Sequence, residues 1–122
     1  MGSNGRLPRR REIWWTDFVP TTGREITKER PAVVLSANEL QDSDRGMVIV
    51  VPCSTRKREF PSHVELTPAH SRMKEITYAM CEQIRSVDLQ RLKRCVGEID
   101  SDEVVRAIEN RVAALLELPT TI

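Results

Sequence analysis

Arginine, hydroxyl and carboxylate side chains occur at separate places in this sequence, and together they could act on a phosphate group. Arg30 lies at the junction between a polar, charged segment and the apolar run that follows it. Ser54 and Thr55 come directly after an apolar, β-branched segment, so we expect their hydroxyls at the end of a strand. Two carboxylates complete the set: Glu25, in the polar segment before Arg30, and Glu82, in a later strand-like segment.

This combination of side chains suits phosphodiester cleavage by a neighbouring ribose 2′-hydroxyl. That reaction needs a base near the 2′-oxygen, an acid near the leaving 5′-oxygen, and donors around the charge that develops on the phosphorane. A guanidinium presents a planar set of donors that suits phosphate. Taken singly, however, each of these residues also has an ordinary explanation as a turn residue or a solvated charge, so the set alone decides nothing.

Other kinds of site are disfavoured by the motifs that the sequence lacks. It has no glycine-rich phosphate loop of either common spacing, which argues against nucleotide hydrolysis through such a loop. Its two histidines, His63 and His70, have no cysteine or histidine nearby at ligand spacing. No Gly-x-Ser-x-Gly motif is present. We therefore expect neither a metal site nor a cofactor.

Composition indicates one compact globular domain. The chain has 122 residues, of which 39% are hydrophobic and 30% charged, as in ordinary soluble proteins. No apolar run approaches the roughly 20 residues that cross a bilayer, so no membrane association is expected. Cys53, Cys81 and Cys95 are widely spaced and odd in number, which predicts reduced core thiols and a cytoplasmic protein.

Charge is distributed unevenly along the chain, although the net charge is only +1. Basic residues cluster at residues 9–11, 56–58 and 91–94, whereas the segment after residue 97 is acidic. These clusters are either solvated faces or a cationic surface for a polyanion, and charge alone does not separate the two. We expect residues 1–11 to form a flexible basic arm and residues 12–122 to form the domain.

Hydrophobic patterning predicts a mainly β fold with one C-terminal helix. Strands are expected at residues 12–18, 32–36, 47–52, 63–66, 78–87 and 95–99. The run at 47–52 is continuously apolar, which is typical of a central strand buried on both faces. A helical turn is expected within 37–46, and Asp88 should cap another. From Ser101 a helix with an apolar stripe is expected to continue until Pro119 stops it. The order suggests a small, strongly bent antiparallel barrel.

Six segments, in this order and spacing, resemble the MazF/PemK (Kid)-type toxins: EIWWTDF with PTTG, GRE with RPAVVLS, VIVVPCST, FPSHVEL, CEQIRSVDLQRL and the C-terminal helix. The resemblance covers residues 12–118. It implies an SH3-like barrel of the CcdB/Kid/MazF superfold and a homodimer. It also implies metal-independent, sequence-specific cleavage of single-stranded RNA that leaves 2′,3′-cyclic phosphate and 5′-hydroxyl ends. The implied partner is an antitoxin whose acidic, unstructured tail blocks the RNA groove.

The resemblance also implies roles for individual residues. The catalytic arginine of the family corresponds to Arg30, and its catalytic threonine falls on Ser54, with Thr55 next. The glutamate of the Gly-x-Glu loop is Glu25, and the carboxylate proposed as the base in the Kid branch is Glu82. Arginine holds its proton too tightly to act as a base at neutral pH. We therefore expect Arg30 to stabilise the phosphorane, Ser54 to donate a hydrogen bond, and Glu25 or Glu82 to act as the base.

Two further positions depart from the Kid branch. Its partnering arginine corresponds to Met80 and its loop histidine to Arg24, so its scheme does not transfer intact.

RNA contacts are expected from the loop before Arg30, from the charged connection at residues 56–60, and from the basic arm. The candidates are Arg24, Lys28, Arg56, Lys57, Arg58, Phe60 and Phe18. Phe60, which lies in the charged connection, is the best candidate for stacking on a base.

Two alternatives stay open at this point. A gyrase inhibitor of the CcdB type would share the fold and cleave nothing, but the chain ends LLELPTTI and keeps the arginine and hydroxyl that an inhibitor does not need. A catalytically inactive, binding member of the family is weakly favoured by a serine at position 54 in place of threonine.

Overall fold

The computed structural model describes residues 6–19, 22–24 and 28–119, and within these ranges the chain forms seven strands and three α-helices. The strands are Glu12–Asp17 (β1), Glu29–Val34 (β2), Met47–Ser54 (β3), His63–Leu66 (β4), Thr77–Met80 (β5), Arg85–Asp88 (β6) and Leu92–Glu98 (β7). The helices are Asn38–Asp42 (α1), Pro68–Ser71 (α2) and Asp102–Leu115 (α3). Two short 3₁₀ turns, Cys81–Gln83 and Leu89–Arg91, flank β6.

The strands form one antiparallel sheet in the order β4-β5-β3-β2-β1-β7, with β6 paired to the first half of β3. The mainly β fold with a C-terminal helix is therefore confirmed. Among the described residues β4 and β7 stand at opposite ends of the strand order, so the bent sheet stays open instead of closing into a full barrel. No helix in the described part of the chain is long and apolar enough to cross a membrane.

Both faces of the central strands are buried. On one face, Ile13, Val33 and Val51 pack with Val105 and Ile108 of α3. On the other face, a second cluster holds alternate residues of the same strands, namely Trp14, Phe18, Ala32, Val34, Val48 and Val50. Odd- and even-numbered residues of β3 are therefore buried on opposite faces, which explains its continuous apolar sequence.

The segment predicted as one strand, residues 78–87, is broken in the structure. Ala79 faces Cys53 of β3, whereas Arg85 faces Val50. From Ala79 to Arg85 the segment advances six residues, whereas the β3 residues opposite them, Cys53 and Val50, are only three apart. The extra residues form the 3₁₀ turn Cys81–Gln83. Single-strand periodicity did not reveal this break.

Two strands extend further than predicted, and both extensions bear on the candidate site. β2 begins at Glu29, so Arg30 lies within the strand, opposite Thr16 of β1, instead of in the loop before it. β3 continues to Ser54, so this serine is the last residue of the strand. The sheet backbone therefore fixes the positions of both residues.

Residues 6–11 lie against the domain. Arg9 contacts Asp42 at 2.6 Å, Arg10 pairs with Glu109, and Arg11 contacts Asp102 at 2.5 Å. In residues 6–11 these ion pairs do not fit the expected flexible arm. They also involve arginines of the basic arm, which was expected to contact RNA. The boundary between arm and domain stays a prediction, because residues 1–5 lie outside the described chain.

Helix α3 begins where the sequence predicted and ends earlier. The Ser101 hydroxyl accepts a hydrogen bond from the Val104 amide at 3.3 Å, which satisfies a free donor of the first turn. The helix ends at Leu115, because Glu117 adopts a left-handed conformation with φ 57°. Pro119 follows two residues after this left-handed residue, where a proline prevents the helix from continuing.

Gly97 of β7 allows the segment after α2 to approach the sheet closely. A Cβ at this position would lie 2.4 Å from the Ser71 carbonyl oxygen and 3.0 Å from Met73 Sδ. Real Cβ atoms do not approach a backbone oxygen so closely. The absence of a side chain at residue 97 therefore determines how residues 71–73 lie over β7.

We expect Gly97→Ala to lower the free energy of unfolding by about 1–3 kcal/mol, the usual cost of overpacking. Urea unfolding followed by circular dichroism measures it. Because the nearest atom is a backbone oxygen, adding Met73→Ala should not restore the stability, and Met73→Ala alone serves as the control. A Gly97→Ala protein as stable as the wild type would contradict this packing argument.

Candidate active site

A cleft of about 620 Å³ crosses one end of the sheet, from the ends of β2 and β3 over β1 to β7. Its outer wall is the segment after α2. It is lined by Trp15, Lys28, Glu29, Arg30, Pro31, Cys53, Ser54, Thr55, Arg72, Met73, Lys74, Glu75, Thr77, Arg94 and Val96. Four residues predicted from the sequence as site residues are thereby brought together: Lys28, Arg30, Ser54 and Thr55.

The pairing of β2 with β3 brings Arg30 and Ser54 to the same place. Ala32 lies opposite Pro52, and Val33 lies opposite Val51. The paired residues end at Ala32 and Pro52, Arg30 and Ser54 stand two residues beyond them on their strands, and both line the cleft. A guanidinium and a hydroxyl that are far apart in sequence therefore reach the same cleft.

The Ser54 hydroxyl is held in place by the backbone. Its oxygen accepts a hydrogen bond from the Arg56 amide at 3.1 Å, and the residue is only 6% exposed. Because that bond uses an oxygen lone pair, the hydroxyl proton remains available for donation. Thr55 follows outside the strand and is exposed, so its hydroxyl lacks the same restraint from the sheet.

Arg30 experiences a positive electrostatic environment. Burial, and then repulsion from the Arg58 guanidinium, lower the pKa of Arg30 below its ordinary value of 12.5. Arg58 itself is placed by a contact between its Nη1 and Met80 Sδ at 3.9 Å. An anion near these two guanidiniums would relieve their repulsion, so this end of the cleft favours a phosphate group.

The other cations predicted to bind RNA are exposed. Lys28 lies at the mouth of the cleft in a left-handed conformation with φ 67°. Arg56 and Lys57 are exposed in the connection after β3. Phe60, in the same connection, is 52% exposed, and its ring meets that of His63 edge to face at a centroid distance of 5.2 Å. Phe60 can therefore receive a stacked base.

Glu82 lies elsewhere, in the 3₁₀ turn Cys81–Gln83 instead of the strand predicted for it. Its carboxylate accepts a hydrogen bond from the Ser62 hydroxyl at 2.6 Å and contacts His63 Nε2 at 3.1 Å. Burial raises the pKa of Glu82, but the hydrogen bonds of Ser62 and His63, a backbone hydrogen bond and the charge of His63 together hold it below its ordinary value. Such a carboxylate is a weak base.

Glu82 lines a separate depression of about 380 Å³ together with residues 83–86. Arg24 is near this depression, since its carbonyl oxygen accepts a hydrogen bond from Gln83 Nε2 at 3.3 Å. The structure thus places Arg24 and Glu82 in a second group, apart from the cleft. Glu25 lies outside the described residues, and its role stays a prediction.

Phe18 cannot stack on a base in this structure. Its ring is only 2% exposed and lies in the core, with the Arg85 guanidinium 5.8 Å from the ring centroid. The strand-like setting of Phe18 in the sequence already favoured a core position.

Sequence reasoning missed much of the cleft lining. The missed residues come from β2, β5, β7 and the segment after α2, and are Glu29, Arg72, Met73, Lys74, Glu75, Thr77, Arg94 and Val96. Arg94 belongs to the basic cluster at residues 91–94, but the local sequence did not indicate that its side chain faces the cleft. The segment at 72–75 reaches the cleft through its approach to Gly97, a contact between distant parts of the chain.

Two thiols lie beneath the site. Cys53, adjacent to Ser54, and Cys81 are free and fully buried. Burial raises the pKa of each thiol to about 12. Both are therefore core residues, as predicted, and neither is a nucleophile at neutral pH. Cys95 is free and partly buried.

Among the described side chains, no group of three or more His, Cys, Asp and Glu residues could hold a metal ion. The expectation of a site without metal or cofactor stays a prediction.

Comparison with known proteins identifies the family of this chain. The family model for PemK-like, MazF-like toxins of type II toxin–antitoxin systems matches residues 9–116. The chain belongs to this family. Endoribonuclease MazF9 of Mycobacterium tuberculosis is 33% identical over 108 residues, which cover 84% of this chain and 92% of that protein. This PemK/MazF-family chain thus shares most of its length with a protein named as an endoribonuclease.

Solved structures give the same result. Crystalline MazF (Form-I) from Deinococcus radiodurans has a TM-score of 0.79 and 26% identity, over 93% of this chain and 99% of that one. The MazE–MazF complex (Form-II) from the same organism has a TM-score of 0.73 and 23% identity, over 93% of this chain and 99% of that one, and shows a shared fold. The fold expected of a PemK/MazF toxin is thus confirmed.

Because the pKa of Glu82 is lower in the folded protein than its ordinary value of 4.5, its ionised form stabilises the fold. This stabilisation is complete above pH 4.5 and is lost as the pH falls through the lower folded-state value. We therefore expect Glu82→Gln to lower the Tm at pH 7 and to have a smaller effect at pH 3.5. Calorimetry at both pH values measures this, with the exposed Glu65→Gln as the control. An equal loss at both pH values would contradict it.

Proposed function

We propose that this PemK/MazF-family toxin is an endoribonuclease that cleaves single-stranded RNA by attack of a ribose 2′-hydroxyl on the adjacent phosphate. The observation that carries the proposal is the juxtaposition of Arg30 and Ser54 in one cleft. Both residues belong to strands and line the same cleft, so the sheet offers a guanidinium and a hydroxyl to one ligand. This is a preorganised set of donors for a phosphate that gains charge during reaction.

In the proposed reaction the 2′-oxygen forms a bond to phosphorus and the bond from phosphorus to the 5′-oxygen breaks. The 2′-hydroxyl proton goes to a base, and the leaving 5′-oxygen takes up a proton. The products are a 2′,3′-cyclic phosphate and a 5′-hydroxyl. Arg30 donates to the equatorial oxygens of the phosphorane, Arg58 adds to the local positive potential, and Ser54 donates its hydroxyl proton in a hydrogen bond.

The base in this scheme is a carboxylate, and the structure changes which carboxylates are candidates. Glu82 lines a different depression and its pKa is lowered, which argues against Glu82 as the base. Among the described carboxylates, Glu29 and Glu75 line the cleft. Glu29 already accepts a hydrogen bond from Trp15 Nε1 at 2.6 Å, so Glu75 is the less committed of the two. Glu25 remains a candidate from the sequence.

The RNA backbone is proposed to follow the cations that surround the cleft. Lys28 and Arg30 lie at one end, and Arg56 and Lys57 are exposed beyond the end of β3. A strand of RNA that passes these residues would bring Phe60 within reach of a base, since Phe60 follows in the same connection. Lys74 and Arg94 also line the cleft and would extend the proposed RNA path across the sheet.

We also propose the partners that family membership suggests. An antitoxin with an acidic, disordered tail would compete with RNA for the cations of the cleft. The exposed side chains of Leu115, Leu116 and Leu118 at the end of α3 offer apolar surface to such a partner or to a second copy in a homodimer. A cytoplasmic location follows from an RNA substrate and from unpaired cysteines.

Incubating the protein with a long RNA in excess EDTA tests the proposal. We expect discrete cuts with 2′,3′-cyclic phosphate and 5′-hydroxyl ends, mapped by ligation-based sequencing. Arg30→Ala should lower the rate by about 100-fold or more, the usual cost of one charge-stabilising donor, without changing the Tm greatly. Arg45→Ala removes an exposed arginine away from the cleft and is the matched control. Intact RNA, or an active Arg30→Ala protein, would refute the assignment.

Salt dependence should report the phosphate contacts of Arg56 and Lys57. If both residues contact phosphates, log Kd changes with log salt concentration, and each contact contributes about 0.7 to the slope for a single strand. The double variant Arg56→Gln/Lys57→Gln should flatten the slope accordingly. Fluorescence anisotropy with a labelled, uncleavable oligonucleotide measures it, and Arg106→Gln on α3 is the control. An unchanged slope would show that this cluster is only solvated.

A further inference from the structure

The cleft extends well beyond the residues that a phosphate group needs. Arg30 and Ser54 lie on β2 and β3, but the cleft continues over β1 to β7. Neighbouring strands are about 4.8 Å apart, so the distance from β3 to β7 is about 14 Å. The β1 and β7 side has a different lining, with the apolar side chains of Trp15, Met73 and Val96. A ligand that fills the cleft therefore has an anionic part and a flat or apolar part.

Trp15 forms the floor on this side. It lies opposite Pro31 of β2 and Arg94 of β7, in the middle of a row across three strands. Its neighbour Trp14 is completely buried, whereas Trp15 is partly exposed to the cleft. The two indoles thus differ in location, because Trp14 belongs to the core and Trp15 to the surface of the cleft.

The Trp15 ring is held in position by polar contacts. Its Nε1 donates a hydrogen bond to Glu29 Oε1 at 2.6 Å, and the guanidinium carbon of Arg94 lies 5.5 Å from the ring centroid. The first contact fixes the edge of the ring. The second places an exposed, flat cation over its face. Aromatic rings and guanidinium planes are the two surfaces on which proteins stack unpaired bases.

The remaining walls suit a nucleobase better than a purely apolar ligand. Met73 is flexible and adapts to flat rings. Glu75 brings an exposed carboxylate to the cleft, to which an exocyclic amino group of a base could donate. The surrounding cations, Lys28, Arg30 and Arg94, match the charge of a nucleotide strand.

We propose that the β1 and β7 side of the cleft is a nucleobase subsite, in which a base next to the scissile phosphate enters between the Trp15 indole and the Arg94 guanidinium. The inference rests on the proposed function, because Arg30 and Ser54 hold the phosphate that sets the position of this base. Trp15 is then a residue that determines which sequences are cut. Arg94 moves outward with the base, which its exposed position allows.

Tryptophan fluorescence tests this directly, since the chain has two tryptophans and only Trp15 faces the cleft. The ligand is an oligonucleotide of a cleavage sequence mapped in long RNA, with a 2′-deoxy nucleotide at the attacking position so that it binds without being cut. We expect binding to quench the emission. The quench should persist in Arg45→Ala, which removes an exposed arginine away from the cleft, and disappear in Trp15→Phe. Trp15→Phe must still bind, as anisotropy of the labelled oligonucleotide shows.

Cleavage supplies the second readout. Trp15→Ala should weaken oligonucleotide binding by roughly 10-fold and change the relative kcat/KM among cleavage sites, whereas Ser54→Ala should slow all sites alike. Trp15→Phe keeps a flat ring and should restore the wild-type preference, and its thermal melt checks that it folds.

The outcomes separate this inference from the proposed function. If the oligonucleotide binds while the emission stays unchanged, and Trp15→Ala selects the same sites as the wild type, the subsite is refuted and the proposed function stands. If the emission changes with protein concentration alone and not with oligonucleotide, a second copy covers Trp15, and the subsite is again refuted. If the wild type neither binds nor cuts long RNA, the proposed function fails and the subsite fails with it.

Discussion

The register between β2 and β3 is the constraint on which the site depends. Val33 faces Val51 and Val34 faces Val50, and the two pairs are buried on opposite faces of the sheet. A slip of one residue would turn each of these side chains towards the wrong core. Because burial fixes the register, it also fixes Arg30 with respect to Ser54. The chemistry of the cleft is therefore determined by the packing of valines several residues away.

Electrostatics in the fold complements this arrangement. Arginines near the start of the chain are neutralised by carboxylates near its end, as in the pairs of Arg10 with Glu109 and Arg11 with Asp102. The separation of charge along the sequence is thus partly cancelled in space. At the cleft, by contrast, Arg30 and Arg58 are close enough to repel each other. Positive potential is concentrated where an anionic strand is proposed to bind.

The sequence predicted the parts of the fold that depend on local patterns. The strand at His63–Leu66 and the start of α3 after Ser101 were predicted correctly, because alternation and capping are local signals. The sequence also predicted Arg30 and Ser54 for one site; both line the cleft, and their roles stay a prediction. The break at Cys81–Gln83 was not predicted, since it arises from the register of two segments against β3.

The rest of the site could not be derived from the sequence because it depends on contacts between distant residues. The wall at 72–75 needs the missing side chain of Gly97, and the weak basicity of Glu82 comes from Ser62 and His63 together. Neither of these contacts produces a periodic pattern in the sequence. Family resemblance suggested the residues that we propose bind phosphate but gave no indication of the part of the cleft around Trp15.

The buried thiol next to Ser54 has a consequence for the behaviour of the protein under oxidative stress. Oxidants and thiol-modifying reagents attack the thiolate, and with a pKa of about 12 the ionised fraction of Cys53 at pH 7 is about 10⁻⁵. Cys81 is protected in the same way. The two buried thiols beneath the site are therefore poor targets for oxidants at neutral pH.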